Sequence, residues 1–376
     1  MKRLSISILI LCACFVPVAS GQQPSGKCYN SWGEFHRYNM WRWNRCEKVL
    51  GVKDVGKLSL KWSYATGYLV DPSPAVADGV VYVGSNDGNV FALKANTGRR
   101  LWSYPTRAAV ASSPAVADGV VYVGSDDNNL YALRADTGTL LWSYATGNYV
   151  YSSPAVADGV VYVGSNDGNV YALNAHTGAL LWSYTTGNQA QSSPAVVNGV
   201  VYVGSNDGNV YALNAGTGAL LWSYTTGGGV FSSPAVANGV VYVGSDDYNV
   251  YALNASTGTL LWSYATGNYV YSSPAVANGV VYIGSVDSNV YALNASTGTL
   301  LWSYTAGNQV KSSPAVANGV VYVGSYDQNV YALNASTGAK LWSYTTGGEV
   351  NSSPAVANGV VYVGSYDGNV YAFGLK

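Results

Sequence analysis

The residues of this chain whose types could do chemistry are few, and they lie near opposite ends of the sequence. Asp71, Glu349 and Asn351 supply carboxylate and amide oxygens, which are the ligands that calcium prefers. Asp71 could also serve as a general base, and Lys311 would add a cation. Only a fold that joins the two ends of the chain brings these side chains together, so the chemistry depends on the architecture.

Other catalytic patterns are missing from the sequence. It contains no Gly-x-Ser-x-Gly motif, no Walker phosphate loop and no His-Glu-x-x-His motif. An aspartate recurs in every repeat from Asp87 to Asp367, but eight identical catalytic acids would serve no purpose. We interpret it as a turn residue that bonds its own backbone.

A 40-residue repeat covers most of the chain. Tryptophan recurs at this interval eight times, from Trp62 to Trp342, and proline does the same from Pro74 to Pro354. Within one unit, turn residues separate four short strands, which we predict at Ser233–Val236, Val240–Ser245, Asn249–Asn254 and Leu260–Tyr264. Four strands in about 40 residues is the period of a β-propeller blade.

The two ends of the repeat array indicate how the ring closes. The array begins with an orphan outer strand, 58–64, and its last unit stops at Lys376 after three strands. We therefore predict an all-β, eight-bladed β-propeller of four-stranded antiparallel blades, in which the N-terminal strand joins the C-terminal blade. Closure removes the exposed strand edges that the alternative, an open solenoid, would leave.

The repeat also resembles a known family. The segment from Ala252 through Thr257-Gly258 to Trp262 looks like the tryptophan-docking motif of pyrroloquinoline quinone (PQQ) repeat propellers, and seven such segments occur. The resemblance implies a propeller whose tryptophans pack between blades. For function it implies a PQQ-dependent dehydrogenase, with Asp71 as the base and Glu349, Asn351 and Lys311 around PQQ and calcium, or else a propeller that binds no quinone.

The differences between the copies cluster in two loops. These are the loop before each inner strand and the loop between the second and third strands, and alternation of strand direction places both on one face, here called the variable face. The opposite, uniform face is called the constant face. We expect binding on the variable face, with candidate residues Tyr151, Gln191, Phe231, Tyr271 and Asn351. Neutral drift of duplicated loops is the alternative explanation.

The N-terminal region has the pattern of an exported protein. Lys2 and Arg3 precede an apolar run and small residues, which predicts a signal peptide over 1–21. The alternative is lipoprotein processing with a lipid on Cys14. Residues 22–56 then form a lead-in or cap with a Cys28–Cys46 disulfide, and 57–376 form the propeller. A metal site on these cysteines lacks further ligands, since His36 is the only nearby histidine.

Charge composition limits the partners. Charged residues make up 10% of the chain, the formal net charge is −1, and no run of Lys or Arg follows the first residues. We therefore expect no basic surface for nucleic acid or for anionic lipid headgroups. A periplasmic or secreted monomer without a membrane span follows.

Three functions stay open at this point. The first is a non-enzymatic scaffold that binds protein, peptide or glycan on the variable face. The second is the PQQ-dependent dehydrogenase. The third, from the resemblance alone, is an outer-membrane protein assembly lipoprotein, which requires lipidation at Cys14.

Overall fold

Short strands separated by tight turns build eight antiparallel sheets, which form the blades of a propeller. The computed structural model describes residues 32–33 and 42–376. The signal peptide and Cys14, predicted above, lie outside these residues. Apart from a 3₁₀ helix at Val55–Lys57 and a short strand at Trp43–Asn44, every element belongs to a four-stranded blade.

The strands of each blade, from inner to outer, have the following bounds. Blade 1 comprises Ala75–Ala77, Val80–Gly84, Asn89–Lys94 and Arg100–Pro105; blade 2 comprises Ala115–Ala117, Val120–Gly124, Asn129–Arg134 and Leu140–Ala145; blade 3 comprises Ala155–Ala157, Val160–Gly164, Asn169–Asn174 and Leu180–Thr185; blade 4 comprises Ala195–Val197, Val200–Gly204, Asn209–Asn214 and Leu220–Thr225. Blade 5 comprises Ala235–Ala237, Val240–Gly244, Asn249–Asn254 and Leu260–Ala265; blade 6 comprises Ala275–Ala277, Val280–Gly284, Asn289–Asn294 and Leu300–Thr305; blade 7 comprises Ala315–Ala317, Val320–Gly324, Asn329–Asn334 and Lys340–Thr345; blade 8 comprises Ala355–Ala357, Val360–Gly364, Asn369–Gly374 and Ser59–Ala65.

The predicted closure of the ring is confirmed. The strand Ser59–Ala65 pairs antiparallel with Asn369–Gly374, with Ser59 opposite Gly374 and Ala65 opposite Asn369. The first strand of the array thus supplies the outer strand of the last blade. Because these segments are the two ends of the propeller, this one pairing brings Asp71 to the same side as Glu349 and Asn351.

Each blade is buried on both sides, as the apolar sequence of its second and third strands predicts. In Val240–Gly244 every residue after the first is buried. The tryptophan of each outer strand packs against the next blade: Trp62 Nε1 donates to the Ala95 carbonyl at 2.8 Å, and its ring lies against Gly98. A Cβ at Gly98 would stand 2.7 Å from that ring, and its φ of +69° suits glycine.

The inner strands are shorter than predicted because their first residues bond around the ring instead of along the blade. We predicted a strand from Ser233, but the observed strand begins at Ala235. Ser233 donates its backbone N–H to Ser273 Oγ at 2.9 Å, in the next blade. The Asn238-Gly239 turn behaves as predicted, with φ of 51° and 77°.

The described residues of the lead-in segment pack against the inner strands of blades 1, 7 and 8. Trp32 is fully buried and exchanges two backbone hydrogen bonds with Val76 of blade 1. Trp43–Asn44 pairs in parallel with the inner strand of blade 7. Arg42 is fully buried, donates to the Pro314 and Pro354 carbonyls, and lies 5.4 Å from the Trp32 ring centroid. Burial lowers the pKa of Arg42 to about 9.

Candidate functional site

The two loops that vary between copies lie side by side at one end of the propeller axis. The loop before blade 1 is held between two loops of the other kind, because Val70 N–H donates to Ser365 O of blade 8 and Leu69 O accepts from Asn86 N–H of blade 1. The same bonds recur around the ring. The variable face is therefore one continuous surface, with one residue per blade at the mouth of the axis.

The structure brings together several of the mouth residues that the sequence singled out. Asn351 Nδ2 donates to Asp71 Oδ1 at 2.6 Å, across the closure seam. Phe231 and Tyr271 meet edge to face with centroids 5.5 Å apart. Lys311 Nζ lies 5.4 Å from the Tyr271 centroid. Neighbouring copies of this position therefore contact one another around the mouth.

Asp71 is the centre of a small polar cluster. Besides the amide of Asn351, its Oδ1 accepts the hydroxyl of Tyr366 at 3.0 Å. Burial and the nearby Asp71 carboxylate raise the pKa of Tyr366, so this hydroxyl stays protonated and keeps donating. The backbone carbonyl of Glu349 accepts from Tyr366 N–H at 2.9 Å. The sequence singled out Asp71, Glu349 and Asn351, but it did not identify Tyr366 as a hydrogen-bond partner of Asp71.

Aromatic rings form an arc over blades 5 to 8. Tyr269 lies between Tyr248 and Tyr271, with centroid distances of 5.1 and 5.7 Å. Lys311 extends the arc, because its Nζ also lies 4.7 Å from the centroid of Tyr326. Tyr326 in turn is 6.1 Å from Tyr366, next to the Asp71 cluster. The arc thus presents ring edges and faces with one cation among them.

The remaining candidates stand apart from this arc. Tyr151 packs edge to face on Tyr149 at 5.9 Å, on the other side of the mouth. Gln191 donates to Gln189 Oε1 at 3.0 Å. These two pairs leave the mouth lined with rings on two sides and amides between them.

Two carboxylates on this face have raised pKa values that the sequence did not reveal. Burial raises the pKa of Asp126 and of Asp246 to about 6. In each, Oδ1 is buried without a hydrogen-bond partner. The same orphaned Oδ1 occurs at Asn86, Asn166 and Asn206, the equivalent positions of blades 1, 3 and 4. A comparison of the internal copies could have pointed to this position, since asparagine replaces the aspartate in three of them.

The recurring aspartates are structural, as predicted. Asp207 Oδ1 accepts its own turn's Asn209 N–H at 2.8 Å, while Oδ2 accepts the Tyr211 hydroxyl at 2.6 Å and Gly187 N–H at 2.7 Å. Burial opposes ionisation, but these three donors prevail and lower the pKa of Asp207. Each aspartate therefore ties a third strand to the loop that leaves the adjacent outer strand.

The two faces differ strongly in charge. In the part of the chain that the structure describes, twelve carboxylates but only two basic residues, Arg107 and Lys311, lie on the variable face. The carboxylates are Asp71, Asp87, Asp126, Asp127, Asp167, Asp207, Asp246, Asp247, Asp287, Asp327, Glu349 and Asp367. Most of the other basic residues project from the constant face. The fold thus places on separate faces charged residues that are scattered along the sequence.

A calcium–PQQ site finds a poor match in these residues. PQQ carries three carboxylates and would meet a face that carries Asp71, Asp126, Asp246 and Glu349 together with Lys311. Residues 32–33 and 42–376 contain no cluster of three or more His, Cys, Asp or Glu side chains suited to a metal ion. Cys46 is disulfide-bonded, and Cys28, its predicted partner, lies outside the described residues.

Comparison with known proteins decides the family. The family model described as "Outer membrane protein assembly factor BamB" matches residues 41–193 and 287–376, which is more than half of the chain. The chain belongs to the PQQ-like repeat β-propeller family. A second model, "Beta-alanine-activating enzyme, beta-propeller", matches residues 157–319 of this PQQ-like propeller. No curated protein sequence matches it significantly.

Solved structures share the fold of this PQQ-like propeller. BamB from Moraxella catarrhalis is 22% identical with a TM-score of 0.75, and the match covers 84% of this chain and 99% of that one. Quinohemoprotein alcohol dehydrogenase from Comamonas testosteroni is 18% identical with a TM-score of 0.81, over 92% and 80%. The computationally designed Ika8 protein is 21% identical with a TM-score of 0.75, over 82% and 97%. At these identities the likeness shows the fold alone.

Proposed function

We propose that this PQQ-like propeller is an exported, non-enzymatic scaffold that binds a protein or peptide segment on its variable face. The observation that carries the proposal is the aromatic arc from Tyr248 through Tyr271 to Tyr326, with Lys311 held against two of its rings. Rigid aromatic side chains bury large areas at low entropic cost, which suits them to partner recognition. The match to an assembly-factor family also favours a protein partner over a small substrate.

The acidic surroundings favour a particular kind of segment. Twelve carboxylates surround an axis mouth with two basic residues, so the local potential attracts positive charge. A segment with Lys or Arg next to aromatic or aliphatic side chains would pair with carboxylates such as Asp246 and stack on Tyr271. We expect its affinity to fall with ionic strength, because the attraction is between exposed charges.

The test uses arrays of defined peptides and defined glycans probed with a chain from Gln22 to Lys376. Hits are then measured by titration against a Phe231→Ala/Tyr271→Ala variant. We expect basic, aromatic-containing peptides to bind and the variant to lose about tenfold or more in affinity. The control is Leu181→Ala, an exposed change on the constant face. Glycan hits without peptide hits, or equal losses in both variants, would overturn the proposal.

The Asp71 cluster supports a second candidate, a PQQ-dependent dehydrogenase, because it joins a carboxylate and an amide at the seam. Two of its features argue against it. Asp71 Oδ1 already accepts from both Asn351 and Tyr366, and the mouth repels an anionic cofactor. Reconstitution with PQQ and calcium tests it directly: a bound-quinone absorbance that disappears in Asp71→Ala would establish this function in place of the scaffold.

The third candidate is an outer-membrane assembly lipoprotein, which the family match supports by its description. It differs from the first only in its anchor and partner. Mass spectrometry of the mature N-terminus decides between a lipid on Cys14 and cleavage after the predicted signal peptide. We propose the latter, with a periplasmic or secreted monomer as the product.

A further inference from the structure

Exposed leucine pairs line the outer edge of five consecutive blades. Each outer strand begins at the constant face, directly after the Thr-Gly turn, and its first two residues are leucines in blades 2 to 6. All ten of these side chains are between 41 and 51% exposed. They are Leu140, Leu141, Leu180, Leu181, Leu220, Leu221, Leu260, Leu261, Leu300 and Leu301. These ten leucines give the edge a recurring exposed apolar feature, of the kind that can mark an interaction surface.

In the other three blades a basic residue replaces one leucine of the pair, and Leu60, Leu101 and Leu341 keep the other position. At the same two positions blade 1 has Arg100, blade 7 has Lys340 and blade 8 has Lys61, and all three are exposed. Arg99 precedes Arg100. The constant-face edge therefore carries leucine pairs over five blades, and one leucine beside one basic residue over the other three.

The centre of the constant face also carries exposed apolar and basic residues. The segment after Cys46 crosses the ends of blades 7 and 8, where Val52 packs near Gly319 and Val49 near Gly359. Val49 and Val52 are nonetheless 49% and 38% exposed. Of the fourteen basic residues among those described, eleven lie on this side and are exposed, against six acidic residues. The eleven are Arg45, Lys48, Lys53, Lys57, Lys61, Lys94, Arg99, Arg100, Arg134, Lys340 and Lys376; the six are Glu47, Asp54, Asp78, Asp118, Asp136 and Asp158.

Three of the basic residues already make contacts within the chain, one of them Arg45, whose guanidinium lies 4.9 Å from the Trp43 ring centroid. Arg134 forms an ion pair with Asp136 at 2.7 Å, and Lys61 Nζ donates to the Leu375 carbonyl at 2.6 Å. Glu47 is buried and accepts backbone N–H groups, so it contributes little to the outer surface. The accessible charge of the constant face is therefore positive, opposite in sign to the variable face.

The repeat geometry selects the kind of partner. Equivalent positions on eight blades around one axis lie in a single plane perpendicular to that axis. A protein partner meets a local patch, whereas this leucine and lysine plane extends around the whole ring. A bilayer surface contacts all blades at once, takes the leucines into its acyl boundary and attracts basic side chains through anionic headgroups.

We propose that the constant face docks on the surface of a membrane containing anionic lipids. The leucine pairs of blades 2 to 6 enter the interface, and Arg99, Arg100 and Lys340 contact lipid headgroups. The chain does not cross the bilayer by this contact, and among residues 42–376 no helix is long and apolar enough to do so. The variable face then points away from the membrane, where a partner can reach it. This inference does not depend on what the variable face binds.

Co-sedimentation with vesicles tests the proposal. The chain from Gln22 to Lys376, which retains every described residue, is mixed with vesicles of phosphatidylcholine alone or with about 30% phosphatidylglycerol. We expect binding to the anionic vesicles, weakened by salt. Arg99→Gln/Arg100→Gln/Lys340→Gln should weaken it by about fivefold for each charge removed. Leu180→Ser/Leu181→Ser/Leu220→Ser/Leu221→Ser should weaken it at least about tenfold.

Matched controls lie on the other face. Arg107→Gln removes a basic residue and Tyr149→Ser an exposed apolar one, and both should bind vesicles as the unchanged chain does. Far-UV circular dichroism checks that each variant is folded; if the leucine variant is not, the arginine variant decides alone. The proposal is overturned by no vesicle binding, by equal losses in control and test variants, or by leucine-dependent dimers in sedimentation velocity without lipid.

Discussion

Ser353 donates its backbone N–H to Ser73 Oγ at 3.0 Å, and the two residues are 280 positions apart. Seven equivalent bonds connect the remaining blades, from Ser73 to Ser113 through Ser313 to Ser353. Eight serines thus form an unbroken hydrogen-bonded ring around the axis. The ring fixes the spacing of the inner strands, and its last bond joins the two ends of the propeller.

Removing one hydroxyl of the serine ring tests whether it is closed. In Ser73→Ala the buried N–H of Ser353 loses its acceptor, which costs about 1–2 kcal/mol in the free energy of unfolding. Ser233→Ala removes the equivalent bond far from the seam and should cost the same. Denaturant unfolding followed by tryptophan fluorescence measures both. Ser256→Ala, in an exposed turn, is the control, and a seam variant as mild as this control would contradict closure.

One tyrosine of the second strands lacks the hydrogen bond that its counterparts make. Tyr242 donates its hydroxyl to the Ala295 carbonyl at 3.0 Å, a bond made by the corresponding tyrosine of every other blade except blade 7. Tyr322 is fully buried, and its hydroxyl has no hydrogen-bond partner. The equivalent acceptor for Tyr322 would be the carbonyl of Leu375, which instead accepts from Lys61 Nζ at 2.6 Å.

We therefore expect the same substitution to have opposite effects in two blades. Tyr322→Phe removes a buried, unsatisfied hydroxyl and should leave stability unchanged or raise it by up to about 1 kcal/mol. Tyr242→Phe removes a satisfied hydroxyl and should lower stability by about 1 kcal/mol. Thermal unfolding of the two variants side by side measures the difference. Equal destabilisation would show that Tyr322 has a partner in solution.

The Asp71–Asn351 contact predicts an energetic coupling across the seam. Asp71→Ala leaves the Asn351 amide and the Tyr366 hydroxyl without their acceptor, and we expect a loss of about 1–2 kcal/mol. In the double variant with Asn351→Ala, the loss in the free energy of unfolding should be smaller than the sum of the two single losses, by a coupling energy of about 1 kcal/mol. Alanine occupies this position naturally at Ala111, so backbone strain does not explain the loss. Additive losses would mean that the contact does not form.

The architecture was predictable because every copy repeats the same local signals. Trp262, the Asn238-Gly239 turn and the apolar second strand each recur at one spacing, so that eight weak signals reinforce one another. The end strands even showed how the ring closes. The start of the inner strand was predicted two residues too early, because Ser233 bonds to the next blade. The residue pattern within one blade does not indicate such a bond between blades.

The site was predictable only in position. The alternation of strands placed the mouth residues on one face, and closure implied that Asp71 and Asn351 meet. Tyr366 and the tyrosine arc depend on side-chain directions, which loop sequences do not specify. The charge separation between the faces was missed for a related reason: residues such as Lys61, Arg100 and Lys340 are far apart in sequence and become neighbours only around the ring.

The shifted acids predict a pH-dependent stability. The folded pKa of Asp246 is about 6, above the ordinary value of 3.8, because burial disfavours its charged form. Between these values the folded state holds more protons than the unfolded state, so stability falls as pH rises from about 4 to 6 and stays reduced above it. Asp126 has the same shift, with the same direction of effect.

Asparagine removes this penalty while keeping the shape that the sister copies use. We expect Asp246→Asn, which reproduces Asn206 of the preceding blade, to be more stable than the unchanged chain at pH 7. The gain is about 1 kcal/mol once solvent screening of this half-buried group is allowed for. It should largely vanish by about pH 4, where the folded-state carboxyl is already neutral. Urea unfolding at the two pH values measures it, with Asn206→Asp as the reverse change, expected to destabilise at pH 7 alone. A gain of equal size at both pH values would mean that lost packing or a hydrogen bond, and not ionisation, separates the two side chains.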